Sequence, residues 1–317
     1  MKTGVLVSLI VAGGLVVSGG IVTAIAFANG AFRQDKGNIT KEHKIEESFK
    51  SFDIKADVSK ISFKKSEDST TKVVCVEKEK LYHKVNVKDG TLKIEQVDEY
   101  RWYEKVFWNF NQSVTIYLPE ESYENLKIRN STGDIDSEVA LSLSEVDIKV
   151  STGDINISNI NVDKKIEVKT STGDMNFKHI KSESLDLTSD TGYIKVEDAK
   201  VNTYVTSSTS TGGKSFTNVR CDSASFESST GHTTLDDFIV TGHLSMESST
   251  GGVTLKNSDA NTLKIKTSTG SVKGNLLTDK LFRCTSRTGH VDTPPTSGPI
   301  CEVETSTGDI ILSVGAN

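Results

Sequence analysis

The chain has 317 residues, enough for one long domain or two ordinary ones, and its formal net charge is −6. Hydrophobic residues make up 35%, a low share for an enzyme of this size, and the absence of a basic stripe argues against a nucleic-acid-binding protein. The four cysteines, Cys75, Cys221, Cys284 and Cys301, show no CxxC spacing, so the sequence indicates neither a disulfide framework nor a zinc site.

An uncharged apolar segment lies near the start of the chain, at residues 3–32. It is long enough to cross a hydrocarbon core of about 30 Å as a helix. Ala26-Phe27-Ala28 also fits a small-x-small cleavage site, so secretion after cleavage near Ala28 is the alternative. We favour a membrane anchor over residues 1–32, with the bulk of the chain extracytoplasmic at the cell membrane, because the apolar run exceeds a typical signal-peptide core.

Residues 33–44 follow as a predicted linker, and residues 45–125 alternate apolar and polar side chains in short segments. This period of two indicates β-strands, and Lys88-Asp89-Gly90 is typical of a hairpin turn. We interpret residues 45–125 as a β-rich cap, because the open end of a stack of strands would otherwise be a sticky edge.

Ten Thr-Gly pairs recur every 19 or 20 residues in the remaining segment, residues 126–317. Their glycines are Gly133, Gly153, Gly173, Gly192, Gly212, Gly231, Gly251, Gly270, Gly289 and Gly308. A fixed period of this length is typical of a solenoid.

Each repeat alternates apolar and polar residues on both sides of the glycine, as at Ile166 and Val168 before Gly173. The pattern predicts a strand, a Thr-Gly corner, a second strand and a short polar turn such as Ser158-Asn159 or Lys181-Ser182. We therefore predict an all-β, single-domain parallel β-solenoid of about ten coils with two strands per coil, continuous with the cap and preceded by one transmembrane helix.

The Thr-Gly pairs are predicted structural corners, because glycine accepts a positive φ without steric penalty. Alternation places the threonine of each pair, and the Ser or Thr two residues before it, on the inward face. The corner residues are represented by Thr132, Gly133, Thr152, Gly153, Thr172, Gly173, Thr191, Gly192, Thr307 and Gly308.

The C-terminal end shows no cap signal, since the chain stops on STGDIILSVGAN after a proline-containing loop at residues 294–299. We expect this uncapped coil to be free for self-association. Cys284 and Cys301 are expected to face inward on successive coils with their Cα atoms about 8 Å apart, beyond disulfide reach.

The repeated Ser-Thr-Gly-Asp corners, the apolar N-terminal segment and Val114-Thr115-Ile116-Tyr117-Leu118-Pro119 together resemble the bacterial putative-adhesin family. Members of that family carry a β-solenoid domain of unknown function and occur in envelope-stress operons of Gram-positive bacteria. The resemblance covers residues 45–317. It implies a β-solenoid displayed at the bacterial envelope, and it supplies no catalytic residues.

Three aspartates, Asp134, Asp154 and Asp174, follow the glycine in successive repeats. Stacked carboxylates could bind Ca²⁺, the one cofactor that the sequence suggests, or each could instead bond backbone groups of its own turn.

An aromatic stretch at residues 100–110 contains Tyr100, Trp102, Tyr103, Phe107 and Trp108. These side chains could stack on a sugar ligand or lie at a membrane interface, or they could cover the apolar end of the solenoid.

The sequence predicts no catalytic site, since its six histidines are scattered and no Gly-x-Ser-x-Gly motif occurs. His232 and His290 occupy the same repeat position three coils apart. The predicted function is non-enzymatic, adhesin-like binding to an envelope glycan or a host surface. The alternative is an accessory protein of envelope-stress signalling that binds a membrane protein, and a glycan-active enzyme is disfavoured because regular coils leave no room for long loops.

Overall fold

The structure, a computed structural model, describes residues 37–101, 111–119 and 122–315. All regular elements among these residues are β-strands, and the described part contains no helix long and apolar enough to cross a membrane. The predicted anchor at residues 3–32 lies outside the described residues.

The N-terminal strands belong to the cap and the first coil. They are β1 (Ile39–Ile45), β2 (Ser51–Lys65), β3 (Thr71–Glu77), β4 (Leu81–Lys88), β5 (Thr91–Asp98) and β6 (Gln112–Leu118). Strand β1 lies largely in the segment that the sequence predicted as a linker, and it pairs antiparallel with β3.

The remaining strands form the repeats. They are β7 (Asn125–Thr132), β8 (Ile135–Ser137), β9 (Leu141–Leu143), β10 (Glu145–Thr152), β11 (Ile155–Thr172), β12 (Met175–Thr191), β13 (Ile194–Thr211), β14 (Lys214–Cys221), β15 (Ser223–Thr230), β16 (Thr233–Thr250), β17 (Val253–Thr269), β18 (Val272–Leu276), β19 (Leu281–Thr288), β20 (Val291–Asp292), β21 (Ile300–Thr307) and β22 (Ile310–Val314). Neighbouring repeats pair in parallel, and the ten glycine corners bound about nine turns of a β-solenoid.

Each coil has three inward-facing segments rather than the two predicted strands. In β11, Ile155 and Ile157 face the core on the first side, Ile160 and Val162 on the second, and Ile166 begins the third. One long strand therefore bends twice around the core. The sequence predicted a single polar turn per repeat, and its two examples, Ser158-Asn159 and Lys181-Ser182, lie at or beside different bends.

The second bend of the coil is a left-handed residue six positions after the corner glycine. Six successive coils have a positive φ there, between 46° and 58°. The residues are Asn159, His179, Asp198, Asn218, Asp237 and Asn257. Asparagine and aspartate tolerate this conformation better than most non-glycine residues, so they serve as a second corner.

Repeats of 19 and 20 residues differ in length at the third bend. Val162 pairs with Ser182, twenty residues on, whereas Lys165 pairs with Ser184, nineteen residues on. The register shift lies between these pairs, so the glycine corner and the αL corner remain aligned in every coil.

The threonine before each glycine is exposed, which corrects the prediction that it faces inward. Alternation ends two residues before the glycine, because the chain begins to bend there. The hydroxyl residues three positions before the glycine do face inward: Thr170 is 4% exposed and Ser189 is 1% exposed. Thr209 and Thr267 donate hydrogen bonds to the carbonyl oxygens of corner glycines, so these two inward hydroxyls are satisfied within the core.

An eleventh corner without glycine precedes the ten recognised in the sequence. Strand β2 pairs in parallel with β7 and β8, and Ser59 occupies the position where Gly133 stands in the next coil. The other side of β2 pairs with β5 and β6. Asp89 and Gly90 form the predicted hairpin turn, which joins β4 antiparallel to β5.

The last two repeats stack in reverse order. Strand β21 lies between β17 and β19, with Val303 paired to Ile265 on one side and to Cys284 on the other. The terminal coil is therefore formed by β19 and β20, and His290 lies four coils from His232 instead of three. Because β21 lies between β17 and β19, its residues Cys301 and Val303 are completely buried, whereas β19 at the end of the stack is partly exposed.

Strand β19 forms the C-terminal edge of the sheet. It exposes Arg283 and Arg287 and is followed by the proline-containing loop at residues 294–299. Charged and proline residues disfavour pairing at such an edge. Cys284 and Cys301 are free thiols, offset by two positions as predicted.

A buried cation interrupts the apolar core at Lys214, which is 1% exposed. Its ammonium group donates to the backbone carbonyl oxygen of Glu227. Burial lowers the pKa of Lys214 to about 8. The adjacent core is filled by an edge-to-face cluster of Phe216, Phe226 and Phe238.

Candidate functional site

Two columns of exposed hydroxyl groups run along the glycine corner. One column is the threonine before each glycine, and the other is the residue before that threonine, which is Ser in eight of ten repeats. Thr152 pairs in register with Thr132 and Thr172, so successive hydroxyls repeat at a strand spacing of about 4.8 Å. We call these two columns the hydroxyl ladder. It begins at residues 131–132 and ends at Thr288 in the terminal coil, where Arg287 takes the place of the serine.

Four in-register cations flank the ladder at its N-terminal end. They are Lys55, Arg129, Lys149 and Lys169. Arg129 donates to the carboxylate and the carbonyl oxygen of Asp147, and Lys169 lies 2.7 Å from Glu167. Lys149 is exposed and forms no ion pair within the described part of the chain.

A groove of about 700 Å³ lies between this cation column and the ladder. Its walls include the hydroxyl residues Ser131, Ser151 and Ser171, and its acidic residues are Asp57, Glu95 and Asp190. Hydroxyl, ammonium and carboxylate groups therefore face one open channel that follows the stacking direction of the coils.

The ladder continues into a second groove of about 340 Å³ further along the solenoid. Ser210, Ser229 and Ser249 line it on the ladder side, and Glu227 and Glu247 stand where the first groove has cations. Lys266 follows Glu247 in register, so the charge beside the ladder changes from basic to mixed along the rod, whereas the threonine column repeats without interruption.

The corner aspartates bond to the neighbouring coil rather than to their own turn. The backbone N–H of Asp154 donates to Oδ1 of Asp134, and that of Asp174 donates to Oδ1 of Asp154. Lys60 lies 2.6 Å from Asp136 and 4.0 Å from Asp134, and the hydrogen bond to Asp136 raises the pKa of Lys60. One oxygen of each bonded aspartate is thereby engaged, and the calcium hypothesis stays a prediction.

Tyr100 is the one member of the predicted aromatic site within the described residues. Its ring lies 5.6 Å from the Lys80 ammonium, and its backbone N–H donates to Asp98 at 2.9 Å. Trp102, Tyr103, Phe107 and Trp108 lie outside the described residues. In the sequence, these residues lie between β5 and β6.

A buried polar cluster in the cap was not predicted from the sequence. The potential ligand atoms of Cys75, Glu77 and His83 lie within 4.8 Å of one another, and all three residues are buried. Burial raises the pKa of the Cys75 thiol to about 12 and lowers the pKa of His83, so the imidazole is neutral. The order Cys-x-Glu could have suggested two inward residues on one strand, but His83 joins them only through the tight turn that connects β3 to β4.

The same cluster contains a serine, a histidine and a carboxylate in the order of a hydrolase triad. Ser59 Oγ lies 2.9 Å from Nε2 of His83, whose Nδ1 lies 3.5 Å from Glu77. Ser59 is only 1% exposed, so a substrate carbonyl cannot reach its hydroxyl in this conformation.

Residues 49–211, just over half of the chain, match the model of the family described as Toastrack DUF4097. The chain belongs to the Toastrack DUF4097 family. This match confirms the relationship to a putative-adhesin family of unknown function that the repeated corners predicted.

Similar solved structures cover most of this chain at low sequence identity. A putative lipid binding protein from Parabacteroides distasonis matches with a TM-score of 0.51 and 17% identity over 77% of this chain and 98% of that one. A putative adhesin from Parabacteroides distasonis matches with a TM-score of 0.44 and 14% identity over 85% of this chain and 98% of that one. A putative adhesin from Bacteroides fragilis matches with a TM-score of 0.41 and 17% identity over 88% of this chain and 97% of that one. The first likeness is one of fold, and no curated protein matches the chain.

Proposed function

We propose that this protein is a non-enzymatic, adhesin-like binding protein of the bacterial envelope that holds an extended glycan along its hydroxyl ladder. The observation that supports this proposal is the in-register column of exposed hydroxyls at the glycine corner, whose serines Ser131, Ser151 and Ser171 line a groove of about 700 Å³. A repeat of about 4.8 Å is close to the length of one sugar unit in an extended polysaccharide.

The side chains along the groove suit carbohydrate chemistry. Hydroxyl groups both donate and accept hydrogen bonds, and carboxylate and ammonium groups orient sugar hydroxyls by charge-assisted hydrogen bonds. Lys149 offers a cation free of ion pairs in the described part of the chain, which favours a glycan that carries anionic groups at this end. Many weak contacts repeated along a polymer provide avidity without a deep pocket.

The proposal places the solenoid outside the cytoplasm, held at the membrane by residues 3–32 or released after cleavage near Ala28. In this position the groove faces the polysaccharides of the envelope or of a host surface. The competing role, an accessory protein of envelope-stress signalling, would use the same exposed surface to bind a membrane protein.

Binding of the full chain in detergent to purified cell-wall polysaccharide and to a host glycan panel tests the proposal. Retention on at least one extended polysaccharide, competed by its soluble fragments, is the expected result. Absence of glycan binding together with stoichiometric recovery of one membrane protein after crosslinking in cells would favour the signalling role. Release of reducing ends from a bound polysaccharide would contradict the non-enzymatic role.

A further inference from the structure

The buried cluster of the cap brings three different metal-binding side chains together. Cys75 and Glu77 point inward from β3, and His83 points toward them from β4. Cys75 is 0% exposed, and the side chains of His83 and Glu77 are 0% and 1% exposed. Burial of several ionisable groups is unfavourable unless they are paired or coordinate a metal, so their convergence requires an explanation.

The orientation of His83 leaves one ring nitrogen directed into the cluster. Its Nε2 lies 2.9 Å from the hydroxyl of Ser59, which can accept a hydrogen bond from it. Its Nδ1 is buried, has no hydrogen-bond partner among the described residues and lies 3.5 Å from the Glu77 carboxylate. A ring N–H that donates to an oxygen while the other nitrogen ligates is the usual arrangement around a metal-bound histidine.

The Glu77 carboxylate already pairs with one cation, the Lys41 ammonium group. Lys41 of the edge strand β1 lies 2.5 Å from its Oε1, and the backbone N–H of His83 donates to its Oε2 at 2.8 Å. The Lys41 side chain is 49% exposed, so it can move into solvent and open a path to the carboxylate. A metal ion entering there would replace the ammonium group.

We propose that Cys75, Glu77 and His83 form a buried site for a divalent transition-metal ion of the Zn²⁺ class. A thiolate, an imidazole and a carboxylate together match the ligand preference of Zn²⁺ and do not match that of Ca²⁺ or Mg²⁺. The site joins β3 to β4 beneath the first corner of the solenoid at Ser59, so bound metal stabilises the cap. This inference does not depend on the glycan proposal.

Cobalt titration of the full chain in detergent, after removal of metal with a chelator, tests the site. We expect one Co²⁺ to bind per chain with a thiolate-to-cobalt charge-transfer band in the near ultraviolet, and Zn²⁺ to displace it and to raise Tm. Cys75→Ser and His83→Gln should abolish the band, whereas Cys221→Ser, at another buried free thiol, and His179→Gln, at an exposed histidine, should retain it.

Lys41→Met separates a metal site from a purely structural ion pair. Removing the ammonium group should strengthen Zn²⁺ binding about tenfold, and Zn²⁺ should restore the Tm lost in the apo variant. Three results would overturn the proposal: no saturable Co²⁺ binding, bound Co²⁺ without a thiolate band, or a Lys41→Met protein whose Tm does not respond to Zn²⁺. If the Cys75 and His83 variants fail to fold, retention of the band in Cys221→Ser, Cys284→Ser and Cys301→Ser assigns it to Cys75, and its loss in any of them would overturn the proposal.

Discussion

The backbone carbonyl oxygen of Gly153 lies directly above the position that a Cβ atom on Gly173 would occupy, well under 3.0 Å from it. The same relationship links the glycines of adjacent coils along the stack, so each corner excludes a side chain on the corner next to it. Gly173 also has a φ of 139°, in a region that is essentially restricted to glycine.

Gly173→Ala should therefore lower the free energy of unfolding by about 3 kcal/mol or more, since strain and a backbone clash add. Gly90→Ala is the matched control, because Gly90 also has a positive φ but has no atom within 4 Å of an added Cβ. Its expected loss is about 1 kcal/mol. Chemical denaturation measures both, and equal losses would contradict the stacking explanation.

The buried Lys214 makes stability depend on pH. Its pKa is about 8 in the folded state and close to its ordinary value of 10.5 in the unfolded chain. Between these pH values the unfolded chain binds more protons, so the free energy of unfolding rises with pH, by about 3 kcal/mol at most.

Lys214→Met should remove this dependence. The variant is expected to be more stable than the parent protein at pH 7, with the difference shrinking as the pH approaches 10.5. Lys178→Met, at an exposed lysine, should leave the pH profile unchanged. If the free energy of unfolding depends on pH in the same way for the parent protein and Lys214→Met, burial does not lower the pKa of Lys214.

A second buried charge, Lys280, precedes the terminal coil. Its side chain is 2% exposed and lies 2.7 Å from the Asp259 carboxylate, whose side chain is 11% exposed. Asp259→Ala should destabilise the protein by about 3–5 kcal/mol, because it leaves the ammonium group buried without its partner. The double variant Asp259→Leu with Lys280→Met should recover much of that loss, and a fully additive loss would contradict direct pairing.

Substitutions of the corner aspartate Asp154 test whether it accepts a backbone hydrogen bond or binds calcium. Asp154→Ala should lower stability by about 1 kcal/mol, since the N–H of Asp174 loses its acceptor, whereas Asp154→Asn retains an acceptor and should lose less. Thermal melts with and without Ca²⁺ should coincide for the parent protein. A rise in Tm with Ca²⁺ that Asp154→Asn abolishes would instead favour the calcium hypothesis.

The solenoid could be predicted from the sequence because only glycine fits the corner, and these glycines recur at a fixed period. The second corner was predicted only in part: Ser158-Asn159 was interpreted as a polar turn, but the regular placement of Asn159, Asp198 and Asn218 six residues after a corner glycine was not used. Asparagine and aspartate are also common in ordinary turns, so their spacing was less specific than that of Thr-Gly.

The stacking order and the buried cluster were less accessible to sequence reasoning. Strands β19 and β21 carry similar inward patterns, so the sequence did not reveal that Cys301 and Val303 would be inserted ahead of Cys284. The inward threonine prediction failed for a local reason, because the bend begins before the glycine. His83 reaches Cys75 through the tight turn between β3 and β4, and this kind of contact leaves no periodic signal.

Filling the groove tests the central claim, that the hydroxyl ladder holds a glycan. Ser151→Trp combined with Ser171→Trp places two bulky side chains on exposed ladder positions in the groove, and Lys178→Trp places one on an exposed position outside it. With folding checked by circular dichroism, the affinity of the full chain for the polysaccharide it retains should fall at least tenfold in the double variant and remain unchanged in Lys178→Trp. Equal affinity for all three proteins would contradict the claim.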